Sequence, residues 1–273
     1  MDRHTKAKIL LNHNDSGQLW PDQLIDVIAQ DVNEAYQIAL QVRQLRLARG
    51  EQPKGFKIGF TNRNIWSRYQ VFEPIWGTVC NTTLSQANQM NECIVDISRM
   101  CQPRIEPELV FGMRSTPPAE LTEQSLYESI ERMAAGFEVV QSHAANWKFK
   151  VTDTIADSGL HGHLVLGKTV KVNNVSANGE ALHTLLADLS LQLTQDGKSV
   201  ETGFASNVLD SPLMALKHFI KTLRNCPGAP EVGAGDVITT GTWTDAWPLS
   251  FGQTWQSQHD GPLSGLKLMT ITN

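Results

Sequence analysis

The chain reads as a mixed α+β protein, helical early and strand-dominated in its second half, and three stretches carry that reading. Across residues 22–49, Leu24, Ile25 and Ile28 are followed by Val32, Ala35, Tyr36, Ala39 and Val42 at spacings of three and four, the period of an amphipathic helix. Across residues 104–111 the period is two, with Ile105, Pro107, Leu109 and Phe111 on one side and Glu106 and Glu108 on the other. Between residues 189 and 203, Leu189, Leu191 and Leu193 alternate with polar residues up to Asp196-Gly197, after which Val200-Glu201-Thr202 returns, the pattern of a hairpin on an Asp-Gly turn.

In chain order, Gly50 is placed to cap the first helix, and Asp31 offers a second N-cap signal that would split it in two. Gly55-Phe56-Lys57-Ile58-Gly59-Phe60 reads as a short strand, with Lys57 either a solvated edge residue or an inward cation. Residues 61–90 read as a long connection holding Trp66, Tyr69, Phe72 and Trp76, which would either cover a site or pack on a neighbouring element. Thr122 is expected to cap a helix carrying Leu126, Ile130, Met133 and Ala134 and ending at Gly136, after which Phe137-Glu138-Val139-Val140 reads as a buried strand. A lone glutamate there requires a partner or a metal. Ser211-Pro212 starts a helix burying Leu213, Leu216, Phe219, Ile220 and Leu223, and strands follow at Val237-Ile238-Thr239-Thr240 and at residues 266–271.

Composition narrows the function. The 273 residues, 41% hydrophobic and 19% charged, suit one globular domain with an extension. A net charge of −5 without a basic block argues against nucleic acid as a partner. The first residues lack the apolar core of a signal peptide, and no apolar run reaches membrane-spanning length, so a cytoplasmic protein without a membrane partner is expected. Cys80, Cys93, Cys101 and Cys226 form no CxxC pair and are expected to be reduced. Nucleotide-binding fingerprints, a P-loop, a nucleophile elbow and HExxH are all missing.

What remains is an acid cluster. On a strand Glu106 and Glu108 share a face roughly 7 Å apart, a spacing that suits one hard cation such as Mg²⁺ or Mn²⁺ and equally describes a half-solvated strand. Glu138 and Lys57, on other strands, would complete a carboxylate site with a cation-binding pocket.

Five segments in this order resemble the fumarylacetoacetate hydrolase superfamily, and most of all its 2-keto-4-pentenoate hydratase and 4-oxalocrotonate decarboxylase branch. They are Gly55-Phe56-Lys57-Ile58-Gly59-Phe60-Thr61, Gln102-Pro103-Arg104-Ile105-Glu106-Pro107-Glu108, Phe137-Glu138-Val139-Val140, Val151-Thr152-Asp153-Thr154-Ile155-Ala156-Asp157 and Gly235-Asp236-Val237-Ile238-Thr239-Thr240-Gly241-Thr242. The resemblance implies a mixed β-roll with an N-terminal helical extension: a helical and lid region over residues 1–80, packed on a catalytic domain over residues 81–273. It implies Mg²⁺ or Mn²⁺ on Glu106, Glu108 and Glu138, catalytic roles for Lys57 and Asp157, and substrate contacts from Ser158, Gly241 and Thr242. In place of the family's usual Asn-Ala-Ser-Ser-Gly, this chain follows Asp157 with Ser158-Gly159-Leu160-His161-Gly162. His161 and His163 are then either new acid/base groups or surface histidines, and His161 is carried as a catalytic candidate.

The chemistry implied is enolate stabilisation in a 2-keto acid by the metal ion. As a hydratase the chain would convert a 2-hydroxy-2,4-dienoate to a 4-hydroxy-2-keto acid in aromatic catabolism. A 4-oxalocrotonate-like decarboxylase and an acylpyruvate-type carbon–carbon hydrolase use the same enolate. A non-catalytic partner subunit is the rival from another class. Homo-oligomeric assembly, and a complex with a related decarboxylase or hydratase, complete the expectations.

Overall fold

The structure, a computed structural model, describes residues 1–25 and 27–272. Helix α1 (Arg3–Ser16) begins where the Asp2 carboxylate accepts the Thr5 N–H at 2.9 Å and ends at Gly17 in the left-handed region. After the single turn α2 (Asp22–Ile25), α3 (Val32–Ala48) begins at Asp31, whose carboxylate accepts the Glu34 N–H at 2.8 Å. The 22–49 stretch is therefore two helices divided at the second cap signal, and Gly50, at φ +96°, follows the last turn. Helix α1 has no counterpart in the sequence reading, because its inward face mixes Lys6 with Ala7, Leu10 and Leu11. That lysine is satisfied by Glu34 of α3 at 2.9 Å.

Strands then dominate. The chain runs through β1 (Pro53–Gly59), α4 (Trp66–Tyr69), β2 (Ile75–Cys80), β3 (Leu84–Gln86), β4 (Glu92–Asp96) and β5 (Arg104–Met113). Helix α5 (Glu123–Ser129) precedes β6 (Ile130–Val140), α6 (Val151–Ala156) precedes β7 (His161–Lys171), and α7 (Gly179–Asp188) precedes β8 (Ser190–Gln195) and β9 (Lys198–Phe204). The chain closes with α8 (Pro212–Asn225), β10 (Val237–Thr239), β11 (Trp247–Pro248), β12 (Thr254–His259) and β13 (Leu266–Ile271).

Among the described residues these strands form two mixed sheets. One is ordered β2-β1-β10-β5-β6-β7-β3, with β11 also on β5, and the other β4-β13-β12-β8-β9. Strands β1 and β2, which come from residues 1–80, are hydrogen-bonded into the same sheet as β5 and β6. Helices α3 and α8 meet the apolar side of β1 and β2: Phe219 lies 5.2 Å from Phe56, and Tyr36 stacks on Trp76 at 4.7 Å. Lys57, between Phe56 and Ile58, faces the other way, as strand alternation requires.

The Asp-Gly hairpin forms with Asp196 and Gly197 both at positive φ, and Ser211 caps α8 with Pro212 in its first turn. Two expectations are corrected. The helix capped by Thr122 stops at Ser129, and Ile130, Met133 and Ala134 belong to β6. Strand β6 is buried on both faces over residues 133–140, which erases the alternation that would have marked it, and its long ladders to β5 and β7 override the local spacing. Nor are residues 61–90 one connection, since β2 and β3 lie within them. Trp76 is core, Phe72 is exposed, and the Trp66 indole donates to the Phe60 carbonyl at 2.7 Å. The side chain of Tyr69 lies outside the described residues.

Gly77 on β2 is packed against the turn before β7, where a Cβ would lie 1.9 Å from the Ser158 carbonyl oxygen. Gly77→Ala is expected to cost about 1–3 kcal/mol in urea unfolding, because backbone would have to move to admit the methyl. An unchanged midpoint would show that this turn yields freely.

Candidate active site and metal centre

Strand β10 separates β1 from β5 only as far as Thr239. Past it the chain turns out of the sheet, and the charged residues of β1, β5 and β6 meet beside that turn. Antiparallel pairing sets Glu106 of β5 directly opposite Glu138 of β6 and Glu108 opposite Gly136, so both β5 carboxylates share a face with Glu138. One oxygen from each of Glu106, Glu108 and Glu138 can be chosen so that all three lie within 4.8 Å of one another.

The two fully buried carboxylates are each held by one oxygen. Glu108 Oε2 accepts the N–H groups of Thr240 and Gly241 at 2.9 and 2.6 Å, while its Oε1 has no hydrogen-bond partner. Glu138 Oε1 faces His161 Nδ1 at 2.9 Å, while its Oε2 makes no hydrogen bond and lies 3.3 Å from Lys57 Nζ. Buried polar atoms are normally satisfied. Two unbonded carboxylate oxygens beside a third carboxylate make an all-oxygen donor set suited to a hard divalent cation.

Lys57 is buried, donates to the Gly159 carbonyl at 2.8 Å and pairs with Glu138. The solvated-edge alternative for it is therefore set aside. Burial pulls its pKa down, and Glu138, Glu106 and Glu108 together outweigh that, so it is raised and the ammonium persists. Burial raises all three carboxyl pKa values, with Glu106 at about 8 and Glu108 well above the ordinary range. Without a cation the cluster therefore retains protons at neutral pH.

A cleft opens onto Lys57 and Glu106. Its walls include Phe60, Val140, Phe149 and Leu160, and Thr242 and Asp245 also line it. Trp147 closes one side in a left-handed conformation rare for so large a residue, at φ 58° directly after Asn146 at 56°. Gln102, itself at φ 50°, holds this turn: its side chain donates to the Ser142 and Ala144 carbonyls and accepts the Asn146 N–H, and its own carbonyl accepts the Trp147 indole N–H at 3.0 Å. Arg104 lies over the indole at 4.2 Å.

The structure thus brings Lys57, Glu106, Glu108, Glu138, Gly241 and Thr242 together. Asp157, Ser158 and His161 stand behind the cleft wall. The Asp157 carboxylate is engaged by His143, through its ring Nδ1 at 2.7 Å and its N–H at 3.2 Å. Ser158 lies on the side of the sheet facing α3. His161 is buried between Glu138 and Thr83, and burial first of all, with Lys57 adding to it, lowers its pKa to about 3, so the ring is neutral. His163, part-buried, contacts Ser85 at 2.8 Å. Sequence reasoning passed over Gln102, His143, Trp147 and Phe149. The available signal was the pair Trp147 and Phe149, two aromatics in an otherwise polar connection.

No family model matches the chain. A 2-hydroxyhexa-2,4-dienoate hydratase of Comamonas testosteroni is 28% identical over 222 residues, covering 81% of this chain and 80% of that protein. A 4-oxalocrotonate decarboxylase of a Pseudomonas species is 28% identical over 237 residues, covering 87% and 86%. Among solved structures, the 4-oxalocrotonate decarboxylase from Pseudomonas putida G7, complexed with magnesium and adipate, superposes with a TM-score of 0.87 at 21% identity over 98% of this chain and 97% of that one. A fumarylacetoacetate hydrolase family protein from yeast reaches 0.54 at 15% identity, over 82% and 94%.

The acid cluster predicts a pH dependence. The raised carboxyl pKa values mean that the folded chain holds protons that the unfolded chain releases, so metal-free protein loses stability as pH rises from about 4.5 toward 8. Below 6.5 the desolvated His161, His163 and His259, lowered to about 3, 4 and 4, and His218, also lowered by burial, act with the opposite sign, because there the unfolded chain binds the extra protons. Between pH 6.5 and 8 that opposing contribution fades and the carboxyls dominate. The melting temperature of EDTA-treated protein is expected to fall across that window, and Mn²⁺ to raise it more at pH 8 than at pH 6.5. A melting temperature flat across the window, with and without Mn²⁺, would contradict a buried acid cluster that exchanges protons for a cation.

Proposed function

We propose, for a chain that belongs to the fumarylacetoacetate hydrolase superfamily, that it is a divalent-metal-dependent hydratase converting a 2-hydroxy-2,4-dienoate and water to a 4-hydroxy-2-keto acid. The observation carrying this reading is the pair of unbonded oxygens, Glu108 Oε1 and Glu138 Oε2, converging with Glu106 beside the Lys57 ammonium at the base of a largely apolar cleft. Glu106, Glu108 and Glu138 would hold Mg²⁺ or Mn²⁺. When bound, the ion supplies Lewis acidity toward the 2-oxo and carboxylate oxygens of the substrate.

The chain's own groups do the rest. Lys57, held by the Gly159 carbonyl and drawn toward Glu138, places a fixed positive charge where an enolate oxygen gains negative charge during tautomerisation. The Gly241-Thr242 turn, anchored through Glu108, borders the cleft where the substrate carboxylate enters. Phe60, Val140, Phe149 and Leu160 hold the hydrocarbon tail and limit the water that reaches it. Asp157, Ser158 and His161 support these groups from behind the wall.

Lys57 is the one cation among the described residues lining the cleft, and its second acid, Asp245, is paired with Arg68 at 3.6 Å, which suits a substrate with a single carboxylate. One observation favours a diacid decarboxylase instead: beyond Trp147 and Phe149 a groove is lined by Arg68, Arg104, Lys148 and Lys150. The likeness to a decarboxylase structure bears on the fold and leaves the reaction to these groups. The hydratase reading carries with it homo-oligomeric assembly, association with a related decarboxylase, and degradation of aromatic ring-cleavage products in the cytoplasm. The dienoate hydratases among its relatives support the hydratase reading itself.

The test is product identification with Mg²⁺-loaded protein on 2-hydroxypenta-2,4-dienoate, 4-oxalocrotonate and an acylpyruvate. A 4-hydroxy-2-keto acid from the first is expected. Carbon dioxide from the second would establish the decarboxylase, cleavage of the third the hydrolase, and no turnover of any the non-catalytic subunit. Lys57→Met is expected to lower turnover about 10²-fold or more while Mn²⁺ binding persists. Full activity in that variant would remove Lys57 from the mechanism.

A further inference from the structure

Resting on the metal reading above, we propose that His161, with Thr83 behind it, is a positioning residue that holds Glu138 in the orientation a divalent cation requires. With a cation on the cluster Glu138 is ionised and its oxygens only accept, so His161 Nδ1, 2.9 Å from Glu138 Oε1, then carries the ring proton. Nε2 of the neutral ring is then an acceptor, and Thr83 Oγ1 lies 2.9 Å from it. Thr83 follows β2 in a tight turn in which its hydroxyl also accepts the Cys80 N–H at 3.3 Å. The ionised carboxylate therefore fixes the tautomer, and the Thr83 hydroxyl, which also has the Cys80 carbonyl at 3.3 Å, braces the far side of the ring.

The need for such a bracket comes from Lys57. Its ammonium stands 3.3 Å from Glu138 Oε2, the oxygen left for a cation, and competes for it. An unrestrained carboxylate would rotate onto the ammonium and close the ion pair, withdrawing that oxygen. With Oε1 held by His161 on one side and Lys57 held by the Gly159 carbonyl on the other, neither partner can complete the movement. Both restraints come from the atypical segment after Asp157. Ser158, Gly159 and Leu160 all have positive φ, at 56°, 68° and 65°, and this turn aims the Gly159 carbonyl at Lys57 before delivering His161 to the start of β7.

Mn²⁺ titration of EDTA-treated protein by calorimetry, with melting curves as a control for folding, tests the assignment. His161→Leu, which removes the donor, is expected to weaken Mn²⁺ about 10- to 100-fold. His161→Asn, which keeps an N–H at the place of Nδ1, is expected to restore most of that loss. Wild-type affinity in a folded leucine variant overturns the proposal, as does an asparagine variant no better than leucine, since packing would then explain both. Should the leucine variant not fold, Thr83→Val decides, with a several-fold weakening supporting the bracket and wild-type affinity overturning it. Failure of the unsubstituted protein to bind Mn²⁺ overturns the metal reading itself and this proposal with it.

Discussion

The register between β5 and β6 is the constraint on which the rest depends. Ten residues of one strand are matched to the other so that Glu106 faces Glu138, and the residue opposite Glu108 is a glycine. A slip of β5 by one residue would turn Glu106 and Glu108 to the other face, away from Glu138, and bring Ile105, Leu109 and Phe111 out of the core. The apolar residues between the acids are thus what aims them. They are nearly inaccessible to solvent, and their burial is worth on the order of 1.5–3 kcal/mol each relative to exposure. That burial opposes slippage far more strongly than any contact made by the acids themselves.

Gathering three acids and one lysine away from water is unfavourable, and the surrounding backbone reduces the cost only in part. The amides of Thr240 and Gly241 satisfy one oxygen, the Gly159 carbonyl satisfies the ammonium, and an imidazole satisfies another oxygen. What is left unsatisfied is concentrated in one spot. Part of the local strain lies here too: Asn146, Trp147, Ser158 and Leu160 are residues other than glycine in the left-handed region and lie in the two turns that frame the cleft, and Gln102, which holds the first of them, shares that conformation.

Much of this was legible in the sequence because it depended on short periods. The alternation over residues 104–111 placed Glu106 and Glu108 on one face, Asp31 marked the start of α3, and Asp196-Gly197 marked the hairpin. Strand β6 was misread at its start because a strand buried on both sides loses its period, and only its partners, far away in sequence, distinguish it from a helix. The orientation of Lys57 was undetermined for a related reason: its own strand alternates correctly whether the opposite face meets water or acids. Helix α1 was missed because an ion pair to α3 put a lysine on its inward side. The inward rotation of His161 and the engagement of Asp157 by His143 depend on the positive φ values of residues 158–160, which residue types other than glycine do not announce.

That turn also has a bearing on how this protein can change. Because one stretch of left-handed backbone positions both a carbonyl and an imidazole, on two different charged groups, its residues are unlike ordinary loop positions, which drift independently. A replacement at Ser158 or Leu160 that relaxed the backbone would displace the support of Lys57 and that of Glu138 in the same movement. In a library of variants the segment should therefore behave as a single exchangeable cassette, tolerant of wholesale substitution by another turn of compatible geometry and intolerant of its parts being mixed.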